Sequence, residues 1–310
     1  MILHCGEALI DFIPVLDKDG NSAYKPAPGG SPYNSSIASS RLGVKVFFLG
    51  RISRDFFGDQ LVRNLERNGV DTSYIVRSEQ PSTLAFVKKS ATGEARYAFY
   101  TNDAADRGLV ETDLPRSLPE ELHAIVFGSI SMVPDPVSST ILSLVEAEAD
   151  RRVISFDPNI RPMVIEDEAD YRSRLDRSFA ASTIVKISDE DLRWIFPDLS
   201  IDKGARKLVT GRTKLVVVTL GADGGMAVTG NGTVRMAGVE TEVSDTVGAG
   251  DSFHSALLAW LFRKKKLTPD RVASLEGSEI ESMLSFAVRV AAKTCSRPGA
   301  DPPYLREIAE

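Results

Sequence analysis

In the run Asp245-Thr246-Val247-Gly248-Ala249-Gly250-Asp251, three small residues lead into a carboxylate. Phe253, Leu257, Trp260 and Leu261 then recur on one face at helical spacing, so the small residues fall where a helix begins. A helix start offers unpaired backbone N–H groups and the positive end of the dipole, and residues without bulky side chains let an anion approach them closely. The segment reads as an anion cradle of the kind that phosphoryl transfer needs. Taken alone, Asp251 is equally well explained as a cap of that helix.

Five other segments hold polar groups at places where ligands bind. Asp11 stands near the carboxyl end of an apolar run, the edge where open α/β sheets place ligands, although a solvated strand end has the same pattern. Gly30 and Asn34 belong to Pro28-Gly29-Gly30-Ser31-Pro32-Tyr33-Asn34, which is also a plain loop leading into a helix through Ile37 and Leu42. Arg161 ends Asp157-Pro158-Asn159-Ile160-Arg161, where a structural ion pair is the alternative to a ligand contact. In Lys186-Ile187-Ser188-Asp189-Glu190-Asp191, Ser188 has the chemistry of a helix cap. Thr219-Leu220-Gly221-Ala222-Asp223-Gly224-Gly225 is a glycine loop after the most apolar run; it is neither a dinucleotide fingerprint nor a Walker loop, since no Gly-Lys pair occurs in the chain.

The elements that must position these residues alternate. Ile2 to Leu9, Val44 to Leu49, Ala124 to Ile130, Val153 to Phe156, Ile184 to Ile187 and Leu215 to Leu220 read as buried parallel strands. Phe56 to Asn68, Val137 to Ala149, Glu168 to Ala181, Ile201 to Val209, Ser252 to Lys265 and Ser278 to Lys293 show helical spacing. This rhythm gives an α/β fold: a doubly wound, mostly parallel sheet flanked by helices. Period-2 stretches after Asp11, at Ser73 to Arg77, Thr83 to Lys89 and Ala95 to Thr101, with turns at Asp19-Gly20 and Thr92-Gly93, predict a small antiparallel β lid. One domain over 1–310 is expected, the lid formed by about 12–28 and 73–105.

Taken in order, these segments resemble the signatures of the ribokinase-like (PfkB) carbohydrate kinases, and the likeness spans nearly the whole chain. Asp245 to Asp251 matches the family's D-T-x-G-A-G-D motif in full. The resemblance implies that Asp251 accepts the proton of a sugar hydroxyl while the amides of Gly248, Ala249 and Gly250 stabilise the transferring phosphoryl group. It implies that Asp11, Gly30, Asn34 and Arg161 bind the sugar, and that Lys186, Ser188, Thr219, Gly221 and Gly224 meet ATP. It gives Asp191 a water-mediated role with Mg2+, and the carbonyls of Asp245 and Val247 a monovalent cation such as K+. Ser296 to Ala300 resembles the region that closes over adenine.

Three departures matter. Ser53 replaces the middle glycine of the family's motif in Gly50 to Gly58. Ser188 and Asp191 replace an Asn and a Glu, a pattern similar to the fructokinase branch. Thr101 stands where 2-keto-3-deoxygluconate kinases, and many fructokinases, carry Arg, so a clamp on a sugar carboxylate is not expected unless Arg107 supplies it.

The 43 acidic residues outnumber the 37 basic ones, a formal charge of −6 that disfavours nucleic acid partners. The run Arg263-Lys264-Lys265-Lys266 is read as the basic end of a helix. No apolar stretch approaches a membrane span, and the start at Met1 lacks the pattern of a signal peptide, so a cytoplasmic location is expected. Cys5 and Cys295 read as buried small hydrophobes, and the three histidines lack ligand spacing. The expected function is ATP-dependent phosphorylation of a primary hydroxyl of a small sugar, fructose first, with 2-keto-3-deoxygluconate kinase and ribokinase as alternatives. A homodimer through the lid fits the same reading. From other classes, a sensor that kept the pocket and lost catalysis is opposed by the intact Asp251, and a nicotinamide dehydrogenase by the missing early fingerprint.

Overall fold

The apolar runs read as strands lie side by side in the computed structural model, which describes residues 1–89 and 95–308. In the first half the chain forms β1 (Ile2–Cys5), β2 (Leu9–Leu16), β3 (Ser22–Gly29), α1 (Ser31–Arg41), β4 (Val46–Ser53), α2 (Phe56–Arg67), β5 (Ile75–Ser78), β6 (Leu84–Lys89) and β7 (Ala95–Tyr100). There follow β8 (Ala124–Gly128), α3 (Val137–Glu148), β9 (Val153–Asp157), α4 (Glu168–Ala181), β10 (Ile184–Ser188), α5 (Asp189–Ile195) and α6 (Ile201–Leu208). The last third holds β11 (Leu215–Thr219), β12 (Gly225–Thr229), β13 (Gly232–Met236), α7 (Ala249–Arg263), α8 (Pro269–Ala273) and α9 (Gly277–Cys295).

Nine strands make one sheet in the order β13-β12-β11-β10-β9-β8-β1-β4-β5. All neighbours from β11 to β5 run parallel, and only β12 and β13 are antiparallel. Because strand side chains alternate, Ile2 faces α1, α7 and α9 while Leu3 faces α3 and α4, and each face closes over its own apolar core. On α7 the predicted stripe is buried, at about 1.5 to 3 kcal/mol for each large side chain. From β1 the chain winds outward through β4 to β5, then returns to the other side of β1 at β8. A crevice therefore opens at the carboxyl edge, where the loops after β1 and β8 diverge.

A second sheet, β3-β2-β6-β7, stands over that edge. Phe12 and Phe86 stack on it at 4.6 Å, and Phe57 of α2 meets Phe12 edge-on at 5.7 Å, fastening the small sheet to the main body. Asp55 caps α2 by accepting from Gly58 N (2.7 Å) and also holds Ser82 (N 2.9 Å, Oγ 2.8 Å), the residue leading into β6. The exchange of glycine for Ser53 is accommodated because its hydroxyl accepts Asp55 N (3.0 Å), whereas Gly58 has no such latitude: a Cβ there would lie 1.9 Å from Ser53 O.

Several expectations are corrected. Residues 2–9 are not one strand: the backbone breaks at Gly6 (φ 144°), where a Cβ would meet Pro32 at 2.6 Å, and Leu9 already opens β2. Asp11 therefore stands on the small sheet and not at the end of β1. Ser73 to Arg77 does not join the small sheet, because β5 pairs with β4 in the large one. The helix expected from Ser252 starts at Ala249. Cys295 is half-buried, not buried like Cys5. The Thr92-Gly93 turn lies outside the described residues. Among the described residues no helix is long and apolar enough to cross a membrane.

Candidate active site

Gly248 caps α7 in the left-handed conformation (φ 76°), and a Cβ there would meet Ala300 at 2.8 Å. Ala249 N donates back to Thr246 O (3.2 Å), which tightens the turn; Gly250 and Asp251 follow as the next first-turn positions, whose N–H groups have no carbonyl a turn earlier. Asp251 is not the cap. Its carboxylate crosses to α1, accepting from Ser31 Oγ at 2.6 Å and Asn34 Nδ2 at 3.0 Å. Burial pushes this carboxyl above the ordinary range, against the two hydrogen bonds.

The start of α1 is built to reach it. Gly30 (φ 106°) leaves no room for a side chain, since a Cβ would sit 2.8 Å from Glu7 O. Gly29 is equally confined: a Cβ there would lie 2.1 Å from Asp11 Oδ2. Glu7, in the turn between β1 and β2, is buried; it accepts from Ser31 N (3.1 Å) and from the Ser131 hydroxyl, while its own N–H donates to Ser131 Oγ (2.8 Å). Burial pushes the Glu7 carboxyl up to about 7. Asp11 is raised to about 6 by burial and by the neighbouring Asp251, with Arg161 opposing.

A second charged group lies behind the helix start. Lys186 on β10 and Asp157 at the end of β9 form a buried ion pair at 2.8 Å, each about 5 % exposed. Burial works against the Lys186 ammonium, but Asp157, helped by Asp251 and Asp191, outweighs it and holds Lys186 above the ordinary lysine value. Its Nζ lies 3.0 Å from where a Cβ on Gly250 would stand, beside the cradle. The other Asp157 oxygen, Oδ1, is buried with no hydrogen-bond partner. Ser188 caps α5 by accepting from Asp191 N (3.0 Å), so its capping role is real, and Asp191 in turn accepts from Ile160 N (3.1 Å). Burial and Asp157 raise Asp191 to about 6.

Asp11, Gly30, Asn34, Arg161, Lys186, Ser188, Asp191, Thr219, Asp245, Val247, Gly248, Gly250 and Asp251 all line one cavity of about 630 Å³. Val87 and Phe99 of the small sheet roof it. Ala249, Gly221 and Gly224 line a second cavity, about 680 Å³, whose apolar wall includes Phe253, Val288 and Ala292; the two share Ser188, Thr219 and Gly250. Arg161 makes no ion pair among the described residues, donating instead to Asn159 O (3.3 Å) and Ile160 O (3.0 Å). Arg107 lies outside the first cavity, tied to Thr101 Oγ1 at 2.6 Å. Asp245 braces the cradle loop, accepting from Val247 N (3.2 Å) and Gly299 N (3.1 Å). Glu7, Ser31 and Asp157 were not singled out as site residues, although each adjoins one that was.

The loop after β11 depends on a backbone-to-backbone approach. Gly224 (φ 94°) would place a Cβ 2.2 Å from Met236 O, and Gly238 would place one 2.0 Å from Ala222 O. Gly224→Ala is therefore expected to destabilise the fold by roughly 1 to 3 kcal/mol. Urea unfolding checks it; unchanged stability would show that the loop gives way without cost.

A helix start with unpaired N–H groups, a buried carboxylate beside it and two confluent cavities at the carboxyl edge of an open sheet suit a small-molecule phosphotransferase. The pfkB family carbohydrate kinase model matches residues 1–307, and the chain belongs to that family. It is 42% identical to a fructokinase of Rhizobium leguminosarum bv. trifolii over 276 residues, 89% of this chain and 84% of the relative. The crystal structure of a Xylella fastidiosa fructokinase with bound ATP superposes with a TM-score of 0.90 at 28% identity, covering 99% of this chain and 96% of that one. A double mutant of the Vibrio cholerae O395 fructokinase, in fructose-, ADP- and potassium-bound form, gives 0.86 at 26% identity, covering 100% and 98%. The chain is a sugar kinase.

Proposed function

We propose that the chain transfers the γ-phosphoryl group of Mg-ATP to a primary hydroxyl of fructose. The observation that carries this reading is Asp251, which faces the roofed cavity one residue beyond Gly250, where the two cavities join. The sugar occupies the roofed side, with Asp11, Asn34 and Arg161 toward its hydroxyls. ATP occupies the other side, its base against the apolar wall of α9 and its phosphates toward Thr219, Gly221, Gly224 and the start of α7. Asp251 takes the proton of the attacking hydroxyl, and its raised pKa makes it a better base than an exposed carboxylate. Lys186 and the α7 amides meet the charge of the transferring group.

Magnesium fits the residues present in one way. No group of three acidic, His or Cys side chains among the described residues could hold it alone. The unpartnered Asp157 Oδ1 and the nearby Asp191 suit waters of an ion carried in by the phosphates. The ion would supply charge neutralisation to the β- and γ-phosphates. The carbonyls of Asp245 and Val247 would take a monovalent cation in the loop that Asp245 braces. Exposed Leu16, Tyr24 and Tyr100 on the small sheet support pairing of two copies there.

Fructose is favoured over 2-keto-3-deoxygluconate because Thr101 brings no guanidinium to a carboxylate, and Arg107, tied to Thr101 Oγ1, lines a different cavity. The cations lining the sugar cavity among the described residues are Lys186, paired with Asp157, and Arg161, bound to its own loop. A panel of sugars assayed with Mg-ATP is expected to give fructose a kcat/KM at least about tenfold above the keto acid. The reverse order would reject the fructose assignment.

A further inference from the structure

Ser31 and Asn34 lie one turn apart on α1, and each donates to a different oxygen of Asp251, at 2.6 Å and 3.0 Å. The serine is fixed at its backbone as well. Its N–H donates to Glu7 Oε1 (3.1 Å), the Ser131 hydroxyl holds the other Glu7 oxygen, and Gly30 is pressed against the Glu7 carbonyl. The turn after β1 thus sets the place of the hydroxyl that, with the Asn34 amide, holds the Asp251 carboxylate. Nothing in capping explains the contact, because α7 is capped by Gly248 and α1 by Gly30.

We propose that Ser31 is a positioning residue for phosphoryl transfer, its hydroxyl fixing the Asp251 carboxylate in the orientation that turns its remaining lone pairs toward the sugar. This rests on the reading of Asp251 as the base. A donor to a carboxylate favours the charged form, so the same bond keeps Asp251 ionised to lower pH than burial alone would allow. The charged groups around Asp251 are Asp157 and Lys186 from β9 and β10, Asp11 from β2, Asp191 from α5, Arg161 from the loop after β9, and Glu7 from the turn after β1, which holds the Ser31 N–H. All of these residues are present in both Ser31 variants, and Glu7 is bound to the Ser31 N–H, not to its hydroxyl.

The test compares wild type, Ser31→Ala and Ser31→Thr by kcat/KM for fructose between about pH 5 and 9, at saturating Mg-ATP, with thermal unfolding of each. Losing a hydrogen bond to the ionised base raises its pKa, and a base works only when ionised, so the acid limb moves toward higher pH. Ser31→Ala is expected to shift it up by about one pH unit, the size of one charge-assisted hydrogen bond. Ser31→Thr keeps a hydroxyl and is expected to hold the limb where wild type has it. A limb unmoved by Ser31→Ala, or moved as far by Ser31→Thr, overturns the proposal. A separate Asp251→Asn measurement tells the two failures apart. If that variant is inactive while the Ser31→Ala limb stays put, only the positioning role falls; if it is active, the base itself is refuted.

Discussion

Replacing Asp251 by Asn is expected to lower kcat by about 10²- to 10⁴-fold, the range of a lost general base, or roughly 3 to 5 kcal/mol of barrier. The fold should not suffer. Gly248 caps α7, so no cap is removed. The Asn oxygen still accepts from Ser31, and a turn of the Asn34 amide presents its own oxygen to the new nitrogen. Burial already disfavours the Asp251 carboxylate, and Asp157 repels it, so neutralising it removes an unfavourable charge. Thermal stability is therefore expected to hold or rise by about 1 kcal/mol, and ATP affinity to stay near wild type. Saturating kcat, thermal unfolding and nucleotide titration of one preparation decide it. A fall of less than about tenfold in a folded variant would remove Asp251 from the mechanism.

The role given to Asp251 in that expectation comes from the family motif, whereas the helix start beside it was legible from the residues themselves. Three small residues before an apolar stripe at helical spacing mark a helix start without knowledge of what packs nearby. The parallel strands were legible for the same reason, since burial on both faces leaves continuous apolar runs. What sequence hides are contacts made by topology. Ser31 meets Asp251 across 220 residues, and Ser131 meets Glu7 across 124; neither pair has a spacing that pattern reading could notice. Asp157 stood in view beside Asn159 and Arg161, but only the pairing of β9 with β10 brings it to Lys186. The small sheet was half legible. Its alternation was visible, yet β5 alternates in the same way and joins the large sheet, because period-2 patterning does not say which sheet a strand enters. The break at Gly6 was missed because apolar residues continue across it.

The second large effect concerns that buried pair. Lys186→Met is expected to destabilise the protein by about 3 to 5 kcal/mol, because it strands the Asp157 carboxylate inside the protein. Asp157 Oδ1 already lacks a donor, and Lys186 Nζ at 2.8 Å is the partner of Oδ2. An exposed ion pair would change stability by 1 kcal/mol or less, so depth decides the size of the effect. Adding Asp157→Leu should recover most of the loss, since an apolar pair of similar volume avoids desolvating two charges. Activity should not recover with it. Lys186 also stands beside Gly250 at the cradle, where its charge faces the transferring phosphoryl group, so both variants are expected to lose at least about tenfold in kcat. Urea unfolding of the four proteins in a double-mutant cycle, with kcat measured for each, checks both expectations. A Lys186→Met loss below about 1 kcal/mol would mean that water reaches Asp157, and the pair would then belong to the surface of the cavity and not to the core.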